Sequence, residues 1–222
     1  MIINHTHRFV FVHVPKSAGS AVTQALAQHS QYCDLEIGGT ALGEALQPFM
    51  RQRFGLHKHA PAQQIRAVMG SAVFASYFSF GFVRNPFDRL QSVFHFLRGW
   101  ETGPEPIRRA LGEFAGFADF LDSEIWMSRP GPDNIFLPQT HWLTAPDGQL
   151  LVDLAGRVET IEDDLARILS RAVGNGSVSL GRVNPSNAYD RLTDWPARHR
   201  DMVVDFYRSD FDLFGYATDP QP

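Results

Sequence analysis

Two short stretches of this sequence carry side chains suited to holding phosphate groups. In the first, Lys16 stands among Pro15, Ser17, Ala18, Gly19 and Ser20, a mobile cation beside two hydroxyls and two small residues that let backbone approach a ligand. In the second, Arg84 offers a planar fork able to grip a phosphate bidentately. Ser92 follows about two helical turns on and adds a hydroxyl. Between them lies His57-Lys58-His59. A histidine titrating near neutrality can serve as a general acid or base, a role worth roughly 10²–10⁴-fold where it operates. An extended backbone would put both rings on one face. The pair also reads as half of a metal site lacking an obvious third ligand, or as a solvated loop.

The neighbouring elements explain why these residues fall where they do. Phe9–Val14 and Phe78–Val83 are continuous apolar runs, the pattern of strands buried on both faces of a parallel sheet. Each runs into a helix. Ala21–Gln28 follows the first loop; after the second strand Asn85 serves as N-cap, Pro86 as the first helical residue and Asp88 as first-turn acid, with the helix running to about Arg98. Helix N-termini present free N–H groups and the positive end of the macrodipole, so both junctions suit anions. Two such junctions imply a ligand with two separated phosphates. The lysine precedes the glycine, whereas in the nucleoside-triphosphatase loop G-x-x-x-x-G-K-[ST] it follows, and no strand end supplies a convincing magnesium ligand. His13, inside the first run, reads as a packed histidine.

Further helices are expected over Gln63–Met69, Phe117–Met127, from a Thr160 cap with Asp163 as its box partner, and after Pro196; residues 34–56 stay ambiguous. Strands alternating with helices give an α/β domain with a mostly parallel central sheet in three layers, spanning 1–222 as one domain. The chain has 222 residues, 44% of them apolar, enough for one well-buried core. A net charge of −4 argues against nucleic acid as a partner of the whole surface. Only two of the basic residues are lysines, Lys16 and Lys58, and both fall in the motifs above. Cys33 is the single cysteine, so no intrachain disulfide or cysteine metal cluster forms. Without an apolar run long enough to span a bilayer, or a leader pattern, a soluble cytoplasmic protein is expected.

Taken together, V-P-K-S-A-G-S resembles the 5′-phosphosulfate loop of sulfotransferases, and F-V-R-N-P-F-D-R-L-Q-S resembles their 3′-phosphate motif. The resemblance is to the membrane-type carbohydrate sulfotransferases and their soluble bacterial relatives, including the uronyl 2-O-sulfotransferase branch. It extends through Leu56–His59, Phe136–Gln139, Gly156–Glu159 and Phe211–Tyr216. It implies a P-loop, nucleotide-kinase-like fold without the magnesium site, and 3′-phosphoadenosine 5′-phosphosulfate as co-substrate without a metal. Lys16 would then stabilise the bridging oxygen, with Ser17, Ala18, Gly19 and Ser20 around the 5′-phosphate and Arg84 and Ser92 on the 3′-phosphate. Arg182–Ser186 resembles a later loop near the nucleotide, which adds Asn184 and Ser186. His59 would be the base with His57 as helper, or the reverse. The acceptor would be a hydroxyl, on a saccharide by resemblance; Trp100, Trp126, Trp142 and Arg98 are candidate wall residues, although tryptophan is more often core. A P-loop kinase acting on a small molecule and a non-catalytic nucleotide-binding relative are the rival readings.

Overall fold

The computed structural model describes residues 1–101, 105–128, 131, 134–174 and 192–220. They divide into two compact units, residues 1–84 with 139–174, and residues 85–138 with 192–220. Asn184 and Ser186 lie outside the described residues.

The first unit is built on a five-stranded sheet of order β3-β1-β2-β4-β5. Its strands are β1 (Ile2–Asn4), β2 (Phe9–Val12), β3 (Leu35–Glu36), β4 (Phe78–Val83) and β5 (Leu154–Arg157). The central strands β2, β4 and β5 are parallel, with Phe11 opposite Phe80 and Phe82 opposite Gly156. The sheet is not parallel throughout: β1 forms an antiparallel hairpin with β2, and β3 joins β1 antiparallel. Strand β2 ends at Val12, two residues short of the expected run, so His13 and Val14 already belong to the loop.

Alternation along β2 and β4 sends Phe9, Phe11, Phe80 and Phe82 to one face, where they meet Val22 and Leu26 of α1 (Gly19–Ala27) and Leu165, Ile168 and Leu169 of α9 (Ile161–Val173). On the other face a Cβ at Gly81 would fall 2.7 Å from a Leu143 methyl, so glycine lets α8 (Thr140–Leu143) lie close on the strand. Helices α2 (Ala41–Phe54), α3 (Ala62–Met69) and α4 (Ser71–Ala75) complete this unit. Helix α2 resolves the ambiguity of residues 34–56, with Thr40 accepting from the Gly43 N–H and Gly55 closing the helix in the left-handed conformation. At α9 the expected capping box is replaced: Thr160 donates to Asp164, whose carboxylate also accepts from the Arg157 N–H.

The second unit is helical: α5 (Pro86–Arg98), α6 (Glu105–Gly112), α7 (Phe117–Asp122), α10 (Ala197–Phe206) and α11 (Arg208–Phe214). Asn85 caps α5 by accepting from the Phe87 N–H, as its position predicts. Phe87, Leu90, Val93, Phe94 and Leu97 enter a core with Phe120, Trp126, Trp195, Tyr207 and Phe211. The guanidinium of buried Arg89 donates to the Leu137 and Ile135 carbonyls, and the Tyr207 hydroxyl to that of Phe136. These bonds satisfy three successive carbonyls of an otherwise irregular segment. Among the described residues, no helix is long and apolar enough to cross a membrane.

Candidate active site

The loop after β2 turns into α1 through an unusual backbone. Lys16 and Ala18 both adopt left-handed dihedrals, with φ of 63° and 57°. Non-glycine residues rarely do so, and such strain persists only where the surroundings hold it. Ala18 is the N-cap of α1 and supplies no side-chain acceptor. The Ala21 N–H bonds back to the Ala18 carbonyl at 3.0 Å, and no side chain of the N-cap residue caps the N–H groups of Gly19 and Ser20 before it, the arrangement an anion uses. Ser20 is exposed beside them, whereas Ser17 is buried.

The Ser17 hydroxyl has a partner within the protein. Its Oγ–H donates to Oε1 of Gln139 at 3.0 Å. The same Oε1 accepts the Arg84 N–H at 2.8 Å, while Nε2 of Gln139 donates to the Arg84 carbonyl at 2.7 Å. Gln139 thus ties the loop to the end of β4. In the sequence its signal is a two-ended amide that follows the apolar Phe136, Leu137 and Pro138.

Lys16 and Arg84 are both half-buried and close enough to repel. Burial first, and the Arg84 charge second, lower the Lys16 ammonium from its usual value to about 8. Two cations confined in this way favour a polyanion between or beside them.

Gly19 brings the loop against a histidine. A Cβ there would lie 1.9 Å from Cδ2 and 2.0 Å from Nε2 of His13. His13 is packed, as expected: its ring stacks on Phe11 with centroids 5.8 Å apart, and burial holds it well below its usual pKa. The His59 ring meets it edge-on, with centroids 4.6 Å apart.

Residues 57–60 form a turn closed by the Ala60 N–H on the His57 carbonyl at 2.9 Å, so the segment is not extended and the loop alternative describes its backbone. The turn is fastened from behind. Gln47 of α2 accepts the Lys58 N–H at 2.9 Å, Glu44 pairs with the Lys58 ammonium at 3.5 Å, and the Met1 amino group donates to the Lys58 carbonyl at 3.1 Å. The two histidines differ as a result. Nδ1 of His57 accepts the His59 N–H at 3.3 Å, which puts the hydrogen of the neutral ring on Nε2. Nδ1 of His59 lies 2.9 Å from the His13 carbonyl, which can only accept. His59 therefore carries hydrogen on Nδ1 and a lone pair on Nε2. Burial is the main cause that lowers its pKa to about 3, so the ring is neutral. Among the described residues, no third histidine, cysteine, aspartate or glutamate completes a metal-binding group with this pair.

The structure thus gathers Lys16, Ser17, Ala18, Gly19, Ser20, Arg84, His57 and His59 into one unit. Ser92 belongs to the other unit, buried on α5. Of the candidate wall residues, Trp126 and Trp142 are core, and Trp126 donates its indole N–H to the Leu121 carbonyl. Trp100 is partly exposed and stacks on Phe96, while Arg98 lies over the Phe94 ring.

A family model for sulfotransferases matches residues 1–217, a span that contains the Lys16–Ser20 loop, Arg84 and the histidine pair. No curated protein and no solved structure matches the chain.

Proposed function

The chain belongs to the sulfotransferase family, and we propose that it moves a sulfuryl group from 3′-phosphoadenosine 5′-phosphosulfate to a carbohydrate hydroxyl. The observation that carries this reading is His59, neutral and with its lone pair on Nε2, whose ring meets the His13 ring that packs against Gly19 of the loop. In the proposed reaction the acceptor oxygen attacks sulfur while its proton passes to Nε2 of His59. The bond from sulfur to the bridging oxygen breaks, and its electron pair leaves on the 5′-phosphate. Lys16 meets the charge that develops there, and the loop N–H groups hold the phosphate. Arg84 binds the 3′-phosphate, with Ser92, Asn184 and Ser186 added by resemblance. The products are a sulfate ester and adenosine 3′,5′-bisphosphate. Positioning and fixed dipoles carry most of the rate, as in phosphoryl transfer.

Thermal shift with adenosine 3′,5′-bisphosphate against ATP–magnesium tests the donor, and donor turnover with a glycan panel tests the acceptor. Stabilisation by the bisphosphate and turnover abolished by Lys16→Ala are expected. Stabilisation by ATP–magnesium alone would overturn the reading in favour of a kinase.

A further inference from the structure

We propose that Gln139 is a positioning residue that couples the two phosphate-binding halves of the donor site, so that neither the loop nor Arg84 is set independently. This rests on the donor assigned above.

Gln139 is wholly buried, and its side-chain amide makes three hydrogen bonds that span the two halves. Two go to the N–H and carbonyl of Arg84, where β4 has ended and no further strand residue pairs with those groups. The third takes the hydroxyl of Ser17, the residue between left-handed Lys16 and Ala18. A loop strained on both sides of one residue needs an anchor at that residue, and the Ser17 hydroxyl is 1% exposed and spent on this bond. Losing the amide would leave buried donors and acceptors unpaired at both ends at once. The oxygen that accepts from Ser17 is also the one that accepts from Arg84, so a shift at either end is felt at the other. Ser17 is accordingly not a phosphate ligand through its hydroxyl; it serves the phosphate by fixing Lys16 and the N-terminus of α1.

The test begins on the ligand-free protein. Ser17→Ala removes one bond and no bulk, and does not touch Arg84. Amide exchange at Arg84, followed by NMR, is expected to quicken about tenfold in Ser17→Ala, the scale of one net hydrogen bond. In a Gln139→Met background the same substitution is expected to add nothing. Unchanged exchange at Arg84 in Ser17→Ala overturns the proposal, and this readout stands even where Gln139→Met fails to fold. The second arm compares adenosine 3′,5′-bisphosphate with adenosine 5′-monophosphate. The affinity gained from the 3′-phosphate should shrink about tenfold in Ser17→Ala. A merely structural role would lower the melting temperature and leave that ratio alone, which would also overturn the coupling. A wild-type protein that prefers neither nucleotide, while its Arg84 amide responds to Ser17→Ala, would keep the coupling and sink the donor assignment.

Discussion

His59 donates its Nδ1–H to the backbone oxygen of His13 across 2.9 Å, and this one bond decides which nitrogen of His59 is free. A carbonyl cannot donate, so the neutral ring has no other tautomer compatible with the contact. The His13 oxygen lies just past the end of β2, at the start of the loop that carries Lys16. The same turn of chain that presents Lys16 therefore also orients the His59 ring.

From this follows the asymmetry between the two histidines. His59→Ala should lower turnover by roughly 10²–10⁴-fold, the usual worth of a positioned base. Affinity for adenosine 3′,5′-bisphosphate should stay near the wild-type value. His57→Ala should act more weakly, through the turn whose Nδ1 bond it removes. Steady-state kinetics alongside nucleotide titration read both effects; the reverse ranking would make His57 the base.

The pH profile should carry a second signature. Burial holds free His59 near a pKa of about 3, too weak a base to accept a proton well at neutrality. A bound donor brings negative charge close by, which favours the imidazolium and raises that pKa. The acid limb of kcat, which reports the bound state, should thus lie at higher pH than the acid limb of kcat/KM. Coincident limbs would mean that the donor charge does not reach His59.

The parts of this site that the sequence revealed are those whose residues repeat a local pattern. Strand β4 occupies Phe78–Val83 as expected, because six apolar or small residues between turn signals leave little choice. The Asn85-Pro86 start of α5 was equally legible, since a cap and an N1 proline act within one turn. Helix α2 was not. Gly43 is its one buried residue, Pro48 sits inside it where a helix is least expected to continue, and Leu42, Phe49 and Phe54 face solvent, so no periodic apolar stripe marks it. Yet its Gln47 and Glu44 hold the histidine turn, and nothing local to H-x-H in the sequence distinguishes a turn from an extended segment. Gln139 was missed for another reason. Its partners are 122 and 55 residues away in the chain, and nothing local to it predicts either.

Burial of the Lys16 ammonium beside Arg84 makes stability depend on pH. Its folded pKa of about 8 lies below the usual 10.5, so between those values the unfolded chain binds more protons. Stability contributed by this group must then rise as pH increases from about 8 to 10.5, and the penalty is full below 8. Lys16→Met should melt above wild type at pH 7, with the gap closing towards pH 10.5. Bound adenosine 3′,5′-bisphosphate should reverse the trend, because its phosphates favour the ammonium, and nucleotide affinity should fall as pH rises through this window. Calorimetric melting curves of both proteins check the first part; parallel profiles would show that Lys16 is not the source.

Gly19 offers the sharpest test of how loop and base are joined. Its backbone is not in the left-handed region, so alanine is opposed there by space alone. The new Cβ would fall within about 2 Å of two ring atoms of His13, far inside contact distance. His13 has little room to yield, since Phe11 lies against one face and the His59 ring meets it edge-on. Gly19→Ala should cost about 1–3 kcal/mol of stability, the range for overpacking a filled site, and should depress turnover by displacing His59. Removing the obstacle separates these effects. His13→Ala keeps the carbonyl that orients His59 while clearing the ring, so the double variant should recover much of the stability lost by Gly19→Ala. Strictly additive losses in chemical denaturation would mean that the clash lies elsewhere.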